Sequence, residues 1–334
     1  MFPEGQMKNV VILHSDVAPD AGEDELDCLR QADTIAGALR YLGYNPVLVP
    51  FVLDLTQTIK AIQSINPEFV FNLVETVNGK GSLIHLAPAL LDHLNVPYTG
   101  CGTDAIFLTS NKPVAKEIMQ TAGMHTPAWI SSTGVRYGTA PSNIYLLKAS
   151  WEHASVGLDE GSVVRLDDTT NIMALMNERK KKIGGPCFAE AYINGREFNI
   201  ALLAGNPDVQ VLHPAEMQFI GFAPDKLKLL DYRAKWVEGT FEYENTARTM
   251  DFSSADDNLI ADLQSIAKRC WDLFDLRGYA RVDFRVDKNG TPWVLEINAN
   301  PCLSPEAGFA FAVEKAALQY HEAIALIVND ALRL

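Results

Sequence analysis

Two alternating patterns joined by a short turn occupy residues 278–301, which read GYARVDFRVDKNGTPWVLEINANP. In the first pattern, apolar residues at even positions from Val282 alternate with charged residues at odd positions from Arg281. Successive side chains of a β-strand point to opposite faces, so this pattern predicts a strand with one apolar and one charged face. In the second, every other residue from Trp293 to Ile297 is expected on the apolar face, and Glu296 on the polar face.

The pair Asn289-Gly290 between the two patterns predicts a two-residue β-hairpin turn of type I′, which needs two residues at positive φ. The register of the hairpin follows from the turn. It places Asp283 directly opposite Glu296, and Arg281 directly opposite Asn298.

Two carboxylates that face each other across strands repel, and a bound cation would remove the repulsion. Oxygen atoms of Asp283, Glu296 and Asn298, with no His or Cys nearby, suit Mg²⁺, which takes its remaining ligands from water and phosphate. The hairpin alone leaves a second interpretation open. In that interpretation its polar face is wet and the carboxylates point into water.

Upstream, short apolar runs alternate with segments of helical periodicity, which predicts a parallel, doubly wound sheet. The predicted strands are 9–14, 46–51 and 69–73, and the predicted helices are 29–42 and 59–65. Ligands of such sheets bind beyond the carboxyl ends of the strands. One acidic residue, Glu75, and one acidic segment, 16–27, are expected there. Most of the segment is predicted to be a solvated loop.

Composition narrows the function classes. The chain has 334 residues, enough for two or three domains, and its net charge of −14 argues against a nucleic-acid or anionic-membrane surface. Its five cysteines are odd in number and lack CxxC spacing, so neither a disulfide framework nor a zinc site is indicated. With no signal peptide or membrane-length apolar run in the sequence, we expect a cytoplasmic protein.

The motifs RVDF at 281–284 and LEINANP at 295–301 resemble the Mg²⁺-nucleotide hairpin of ATP-grasp ligases, and the D-alanine–D-alanine ligase branch in particular. The resemblance extends over residues 9–334. It implies an α/β fold, α+β in parts, in which a doubly wound parallel-sheet domain precedes two α+β subdomains that clasp ATP. The implied domains are 1–100 for the N-terminal substrate domain, 101–188 for the central subdomain and 189–334 for the C-terminal Mg²⁺-binding domain.

The same resemblance implies a role for individual residues. ATP phosphates would contact lysines and a small, Ser- and Gly-containing loop, namely Lys112, Lys148, Ser155, Gly157 and Lys235. Adenine and ribose would contact the segment around the turn at 194–195, namely Glu190, Tyr192, Ile193 and Glu197. Asp283, Glu296 and Asn298 would hold the metal. Arg281 and Lys235 would be catalytic, with Arg281 stabilising the acyl phosphate and the oxyanion, helped by the backbone N–H of Cys302.

The implied reaction is the ATP-dependent, ADP-forming ligation of a carboxylate to an amine through an acyl phosphate. The implied cofactors are ATP and Mg²⁺, with Mn²⁺ as a substitute metal. The expected partners are small-molecule carboxylate and amine substrates of amino-acid or peptide-like type, and a homodimer is among the expected assemblies. Neither a nucleic acid nor a membrane is expected as a partner.

Both substrate-facing surfaces depart from the family pattern. The HGxxGEDG element after the third strand is replaced by NLVETVNG at 72–79, and the Ser-Leu pair of the last loop by CLSPEA at 302–307. We expect Asp24, Glu75 and Cys302 to face the substrates, without a covalent role for the cysteine. Three alternatives stay open: D-alanine–D-alanine ligase itself, a non-catalytic nucleotide-binding regulatory protein, and a Rossmann dehydrogenase suggested by the GxGxxA match at 100–105.

Overall fold

The computed structural model describes residues 7–18, 21–151, 158–223 and 226–333. Within these ranges the strands are β1 Lys8–Ser15, β2 Tyr44–Phe51, β3 Val70–Leu73, β4 Trp129–Ile130, β5 Arg136–Tyr137, β6 Ile144–Ala149, β7 Val163–Arg165, β8 Cys187–Ala191, β9 Gly195–Leu203, β10 Gln210–Val211, β11 Ala215–Phe219, β12 Thr246–Thr249, β13 Tyr279–Asp287 and β14 Pro292–Asn298. The helices are α1 Glu23–Tyr41, α2 Leu55–Ile65, α3 Leu86–Leu94, α4 Thr103–Ser110, α5 Lys112–Thr121, α6 Ile172–Ile183, α7 Tyr232–Trp236, α8 Phe241–Glu244, α9 Asp257–Leu273, α10 Gly308–Lys315 and α11 Tyr320–Ala331. None of the described helices is long and apolar enough to cross a membrane.

The first sheet has the strand order β2-β1-β3, and its strand pairs are parallel. Side chains of β1 alternate between two cores. Val10 and Ile12 pack with residues of α1 and α11, whereas Val11 and Leu13 pack with residues of α2 and α3. Helices therefore cover both faces of β1, which explains its continuous apolar run. The predicted doubly wound parallel sheet is confirmed.

The second sheet is antiparallel, with the strand order β5-β4-β8-β6-β7. Helix α6 covers one face, where Met176 packs with Tyr145, Leu147 and Ala189. The alternation of side chains along β6 and β8 sends the intervening residues to the opposite face. That face carries Leu146, Lys148 and Glu190, all of which line a cavity.

The third sheet has the order β12-β11-β9-β13-β14, and β10 also pairs with β9. Helix α9 packs on one face, where Leu263 and Ala267 join the even-numbered residues Val282 and Phe284 of β13 in one core. The odd-numbered residues of β13 therefore project from the other face. That face is charged, as the alternating sequence predicts.

The hairpin β13–β14 differs from the prediction at its turn. Asp287 N–H donates to the carbonyl of Thr291 at 3.1 Å, so the loop contains three residues, not two. Gly290 has φ +81°, whereas Asn289 does not have positive φ, so the type I′ prediction is wrong. The Asp287 carboxylate accepts the N–H groups of Asn289 and Thr291 and stabilises this longer loop with a left-handed glycine.

A bulge in β14 compensates for the longer loop. Phe284 pairs with Val294, but Asp283 pairs with Glu296, so Leu295 is the extra residue. The predicted register is therefore confirmed at Asp283 and at Arg281, which lies opposite Asn298.

The bulge also changes which side chains of β14 are buried. Val294 and Ile297 pack in the core, whereas Leu295 lines the cavity, and Trp293 is only partly buried. The predicted apolar face with Leu295 at its centre is wrong, because one extra residue moves every side chain before it to the other face.

Three helix boundaries were also predicted wrongly. Helix α1 begins at Glu23, so part of the acidic segment expected as a loop is helical; acidic side chains in a first turn favour the helix dipole. The expected loop 300–309 ends early because α10 begins at Gly308. The expected single closing helix, 316–332, begins instead at Tyr320, where Gln319 and Glu322 form a capping box.

We expect Gly278→Ala to destabilise the protein more than Gly43→Ala. Both glycines have positive φ, +67° and +88°, so both substitutions strain the backbone. A Cβ on Gly278 would also lie 2.8 Å from the backbone N of Gly100, whereas a Cβ on Gly43 would meet nothing within 4 Å. The additional overpacking should cost about 1–3 kcal/mol of unfolding free energy in urea titrations. Equal losses in the two variants would contradict the close approach of Gly100.

Candidate active site

A cavity lies between the second and third sheets. Strands β6 and β8 supply one wall, β9, β13 and β14 supply the opposite wall, and α5 and the segment 229–235 complete the lining. The lining residues are Lys112, Leu146, Lys148, Ala149, Leu158, Glu190, Ala191, Tyr192, Ile193, Glu197, Leu229, Leu230, Lys235, Asp283, Arg285, Leu295 and Glu296. Many residues predicted from sequence to contact ATP or metal therefore line one cavity.

A buried carboxylate with two lysines forms the wall of the second sheet. Glu190 is 2% exposed; it accepts from Lys116 Nζ at 2.8 Å through one oxygen and from Lys148 through the other. Lys116 is fully buried and also donates to Thr126 Oγ1 at 2.7 Å. Burial would raise the pKa of Glu190, but the two lysine charges hold it below its usual value. The ion pair therefore positions Lys148 at the cavity.

Burial favours a lower pKa for both lysines, but the two pKa values shift in opposite directions. It lowers the pKa of Lys116 to about 8, against the opposing charge of Glu190. It would also lower the pKa of Lys148, but the attraction of Glu190 raises that pKa above its ordinary value. Sequence reasoning missed Lys116. Its spacing of four residues from Lys112 puts both lysines on one face of α5, and this was the available signal.

On the wall of the third sheet, Glu197 forms an ion pair with Arg285 at 2.7 Å. Arg285 is 3% exposed, donates to the carbonyl of Gly195 at 3.1 Å and lies 5.5 Å from the centre of the Tyr192 ring. The arginine therefore joins the predicted ribose ligand to the segment predicted to contact adenine. The alternating pattern placed Arg285 on the charged face but gave it no role.

The two opposed carboxylates of the hairpin are each paired with a cation. Asp283 accepts from Arg281 Nε at 2.7 Å and Nη2 at 2.8 Å, and from Asn199 Nδ2 at 2.7 Å. Glu296 lies 3.4 Å from Lys112 Nζ. Burial would lower the pKa of Arg281, but the Asp283 carboxylate raises it above its ordinary value. The repulsion expected between the carboxylates is thus offset within the protein itself.

Lys235, in α7, lines the same cavity. Burial lowers its pKa, the charge of Arg281 lowers it further, and the carboxylates of Glu296 and Asp283 oppose the change. A lysine from α7 and carboxylates from β13 and β14 therefore line one cavity.

The residues expected to hold a metal fit a hard cation. Among the described residues, no group of three or more His, Cys, Asp and Glu side chains is placed to hold a metal ion. The expected set has two carboxylates, on Asp283 and Glu296, that face each other, and the amide of Asn298 two positions along β14. Oxygen donors in this number suit Mg²⁺, which retains water and phosphate ligands.

The positions expected to face the substrates lie where α1 and the end of β3 meet the loop after β14. Glu75 accepts from Gln31 Nε2 at 3.0 Å, and Gln31 Oε1 accepts from the N–H of Leu303 at 2.6 Å. Cys302 Sγ lies 3.0 Å from Asp27 Oδ2. The structure thus brings Glu75 and Cys302 together, and adds Gln31 and Asp27, which sequence reasoning did not single out.

The thiol of Cys302 is not activated for nucleophilic attack. Burial raises its pKa, and the nearby charges of Glu75 and Asp27 raise it further. Asp24 lies in the first turn of α1, but its side chain is outside the described residues, as are Ser155 and Gly157. The expectation that Cys302 has no covalent role agrees with this environment.

A cavity with paired lysines, arginines and carboxylates lies between two sheets that are each covered by a helix, and a doubly wound domain precedes them. This arrangement is that of an ATP-grasp ligase, which joins a carboxylate to an amine. The family model "D-ala D-ala ligase C-terminus" matches residues 145–329, more than half of the chain, and the chain belongs to this family. The predicted family, fold class and enzyme class, a ligase that forms C–N bonds, are confirmed.

Two curated relatives illustrate the distance within the family. The uncharacterized protein y4sG of Sinorhizobium fredii is 29% identical over 313 residues, which cover 91% of this chain and 88% of the relative. D-alanine–D-alanine ligase of Moorella thermoacetica is 28% identical over 323 residues, covering 91% and 94%.

Solved structures share the fold at lower identity. D-alanine–D-alanine ligase of Bacillus anthracis, complexed with ATP, superposes with a TM-score of 0.73 at 17% identity and covers 98% of each chain. D-alanyl-alanine synthetase A of Vibrio cholerae gives a TM-score of 0.73 at 15% identity, covering 99% of this chain and 100% of the synthetase.

We expect Lys116→Met to destabilise the protein by about 3–5 kcal/mol, because it leaves the buried Glu190 with one of its two cationic partners. Chemical unfolding measures this cost. Lys60→Met, at an exposed position of α2, removes the same charge and should change stability by less than about 0.5 kcal/mol. A Lys116 variant as stable as the Lys60 variant would contradict the structural role of Glu190 and its two lysines.

Proposed function

We propose that this ATP-dependent ligase acts on amino-acid or peptide-like substrates and that D-alanine is not its natural substrate pair. The observation that supports the activity most directly is the charged face of β13 and β14. There Asp283 and Glu296 oppose each other, Arg281 and Lys112 pair with them, and Lys235 lines the same cavity. Such an arrangement neutralises phosphate charge and orients a phosphoryl group for transfer.

In this proposal, ATP occupies the cavity between the second and third sheets. Tyr192 and Ile193 contact adenine, and Glu197, held by Arg285, accepts hydrogen bonds from the ribose hydroxyls. Glu190 lines the same cavity, but its two lysine partners give it a second role in this proposal, since it positions Lys148 for the phosphates. Lys112, Lys148 and Lys235 neutralise the phosphate oxygens. The Ser155 to Gly157 segment, outside the described residues, would cover them.

Asp283, Glu296 and Asn298 would hold Mg²⁺, which neutralises the negative charge that phosphoryl transfer places on the phosphate oxygens. The carboxylate substrate attacks the γ-phosphate of ATP to give an acyl phosphate and ADP. The amine then attacks the acyl carbon, and phosphate leaves. Arg281 stabilises the negative charge on the acyl phosphate and on the tetrahedral oxyanion, together with the backbone N–H of Cys302.

The choice of substrates rests on the surfaces that depart from the family pattern. The curated relatives named D-alanine–D-alanine ligase favour that activity as the second candidate. The surroundings of Glu75 and Cys302 favour a different pair, since these two residues occupy the segments where the family elements for D-alanine are replaced, and they contact Gln31 and Asp27 of α1. A cytoplasmic location and a homodimer stay predictions.

An ADP-release screen with pairs of carboxylates and amines, followed by product mass, tests the proposal. We expect ADP release with an amino-acid or peptide-like pair and little with D-alanine alone. Formation of D-alanyl-D-alanine at a rate typical of enzymes, about 10 s⁻¹, would favour D-alanine–D-alanine ligase instead. Binding of Mg·ATP without ADP release from any pair would favour the non-catalytic regulatory protein.

We expect Arg281→Met to lower turnover by about 10²-fold or more, the effect of losing one oxyanion donor, while Mg·ATP affinity stays near that of the parent. Glu296→Gln is the matched comparison, because it removes the charge of a proposed metal ligand and keeps the side-chain shape. This variant should first lose affinity for Mg²⁺. Titrating ATP binding and measuring turnover at saturation on the same preparations separates the two effects.

The ion pair between Arg281 and Asp283 allows a different role for the arginine, which predicts a different result. If Arg281 only balances the Asp283 carboxylate, the methionine variant should lose metal and nucleotide affinity, and saturating Mg·ATP should restore its rate.

A further inference from the structure

Arg285 joins two parts of the chain that border the cavity between the second and third sheets. On β13 it lies directly opposite Glu197 of β9, and its Nη2 is 2.7 Å from Glu197 Oε2. Nη1 donates to the carbonyl of Gly195 at 3.1 Å, and Nη2 donates to the carbonyl of Lys228, which lies outside the sheets. Arg285 is buried, so these contacts are made away from water. One planar group therefore holds a strand residue and a loop residue at the same time.

The contact at Lys228 fixes one end of the segment 228–235. The N–H of Lys228 donates to the Tyr192 hydroxyl at 3.3 Å, and this hydroxyl lies 3.4 Å from the Lys228 carbonyl. The Arg285 guanidinium lies 5.5 Å from the centre of the Tyr192 ring, within the range of a cation–π interaction. Tyr192 directly follows β8 of the second sheet, and Arg285 belongs to the third. Lys228 is therefore held by one side chain from each wall of the cavity.

From Lys228 the segment 228–235 runs along the cavity into α7. Leu229 and Leu230 line the cavity, and the N–H of Tyr232 donates to the carbonyl of Leu158, another lining residue, at 3.3 Å. Lys235, in α7, lines the cavity at the far end of the segment. The placement of Lys235 therefore depends on how the segment is held at Lys228.

We propose that Arg285 is a positioning residue that couples recognition of the ribose to the placement of Lys235. The inference rests on the proposed ligase function, in which Glu197 binds the ribose hydroxyls and Lys235 neutralises phosphate oxygens. Arg285 orients the Glu197 carboxylate and holds the Lys228 carbonyl with the same guanidinium. The five N–H donors of arginine are fixed in one plane, whereas a lysine ammonium is a point charge on a flexible stem. The ribose ligand and the segment that carries a phosphate lysine thus share one support.

Hydrogen exchange of the nucleotide-free protein tests the support by itself. Arg285→Met should raise the exchange rate of amides in the segment 229–235 by about 10-fold or more, because the segment loses a hydrogen bond to a charged group at Lys228. Tyr192→Phe keeps the ring and removes the hydroxyl, so it should raise exchange in the same segment.

Arg196→Met is the matched control for the exchange measurement. Arg196 pairs with the core residue Val286, so it lies on the opposite face of the third sheet, where it forms ion pairs with Glu216 and Asp256. Its replacement also removes an arginine with carboxylate partners, but it should leave exchange in the segment 229–235 unchanged.

Titration calorimetry with Mg·ATP and with Mg·2′,3′-dideoxy-ATP tests the link to the ribose without turnover. The parent should bind the dideoxy nucleotide about 10- to 100-fold more weakly, the range of hydrogen bonds to a charged group. Arg285→Met should weaken ATP binding by a similar factor. It should change dideoxy-ATP binding far less, because the Glu197 carboxylate that Arg285 orients has no hydroxyl to accept from.

Turnover at saturating Mg·ATP tests the link to Lys235. Arg285→Met should lower kcat by about 10- to 100-fold, the effect of a small misplacement of a catalytic group. Glu197→Gln should weaken ATP binding and leave kcat near that of the parent, because Arg285 still holds Lys228. Arg285→Lys keeps the charge opposite Glu197 without the planar fork, so it should regain ATP affinity more than kcat. The lysine variant also decides the matter should the methionine variant fail to fold.

The outcomes separate the inference from the proposed function. If the Arg285 variants show no rise in exchange at 229–235, or lose affinity equally for the two nucleotides, the inference is overturned and the ligase proposal stands. If no substrate pair supports ADP release although Mg·ATP binds, the ligase proposal fails. Exchange and calorimetry then still decide whether Arg285 holds the segment and orients Glu197 for the ribose.

Discussion

The pairing of β13 with β9 on one side and β14 on the other is the constraint on which the rest of the site depends. Nine residues of β13 pair with β9, from Tyr279 to Asp287. Because side chains alternate along a strand, this pairing sends Val282 and Phe284 into the core under α9 and Arg281 and Asp283 into the cleft. A slip of one residue would exchange the two sets, burying charges and exposing the core. The hydrophobic effect under the sheet therefore fixes the position of the chemistry above it.

The charges that this alternation brings together must neutralise one another when no ligand is bound. An unpaired buried charge is costly, and the protein avoids that cost with local ion pairs. Glu190 has Lys116 and Lys148, Glu197 has Arg285, and Asp283 has Arg281. Most of these pairs join residues that are distant in sequence and lie on different elements. The pairs therefore also fix the relative positions of the elements that carry them.

Sequence reasoning predicted the parts of the fold that depend on periodicity and missed those set by tertiary packing. The hairpin register was correct at Asp283 although the turn was wrong, because the bulge at Leu295 offsets the extra loop residue. A bulge leaves no mark in an alternating pattern this short. Lys116, Arg285 and Gln31 each contact a carboxylate far along the chain, and no local pattern indicates such a pair; the spacing of Lys116 from Lys112 indicated only a shared helix face. The family resemblance named the residues that would contact ATP, but not those that hold them in place.

Preformed ion pairs also determine how the cleft would respond to a nucleotide. Lys148 is bound to Glu190, and Lys112 lies near Glu296, so both lysines have carboxylate partners before phosphate binds. On the proposed function, phosphate binding shares or exchanges these contacts, and the net gain is smaller than the sum of new ion pairs. The benefit lies in orientation, since the lysines are already desolvated and placed before ATP arrives.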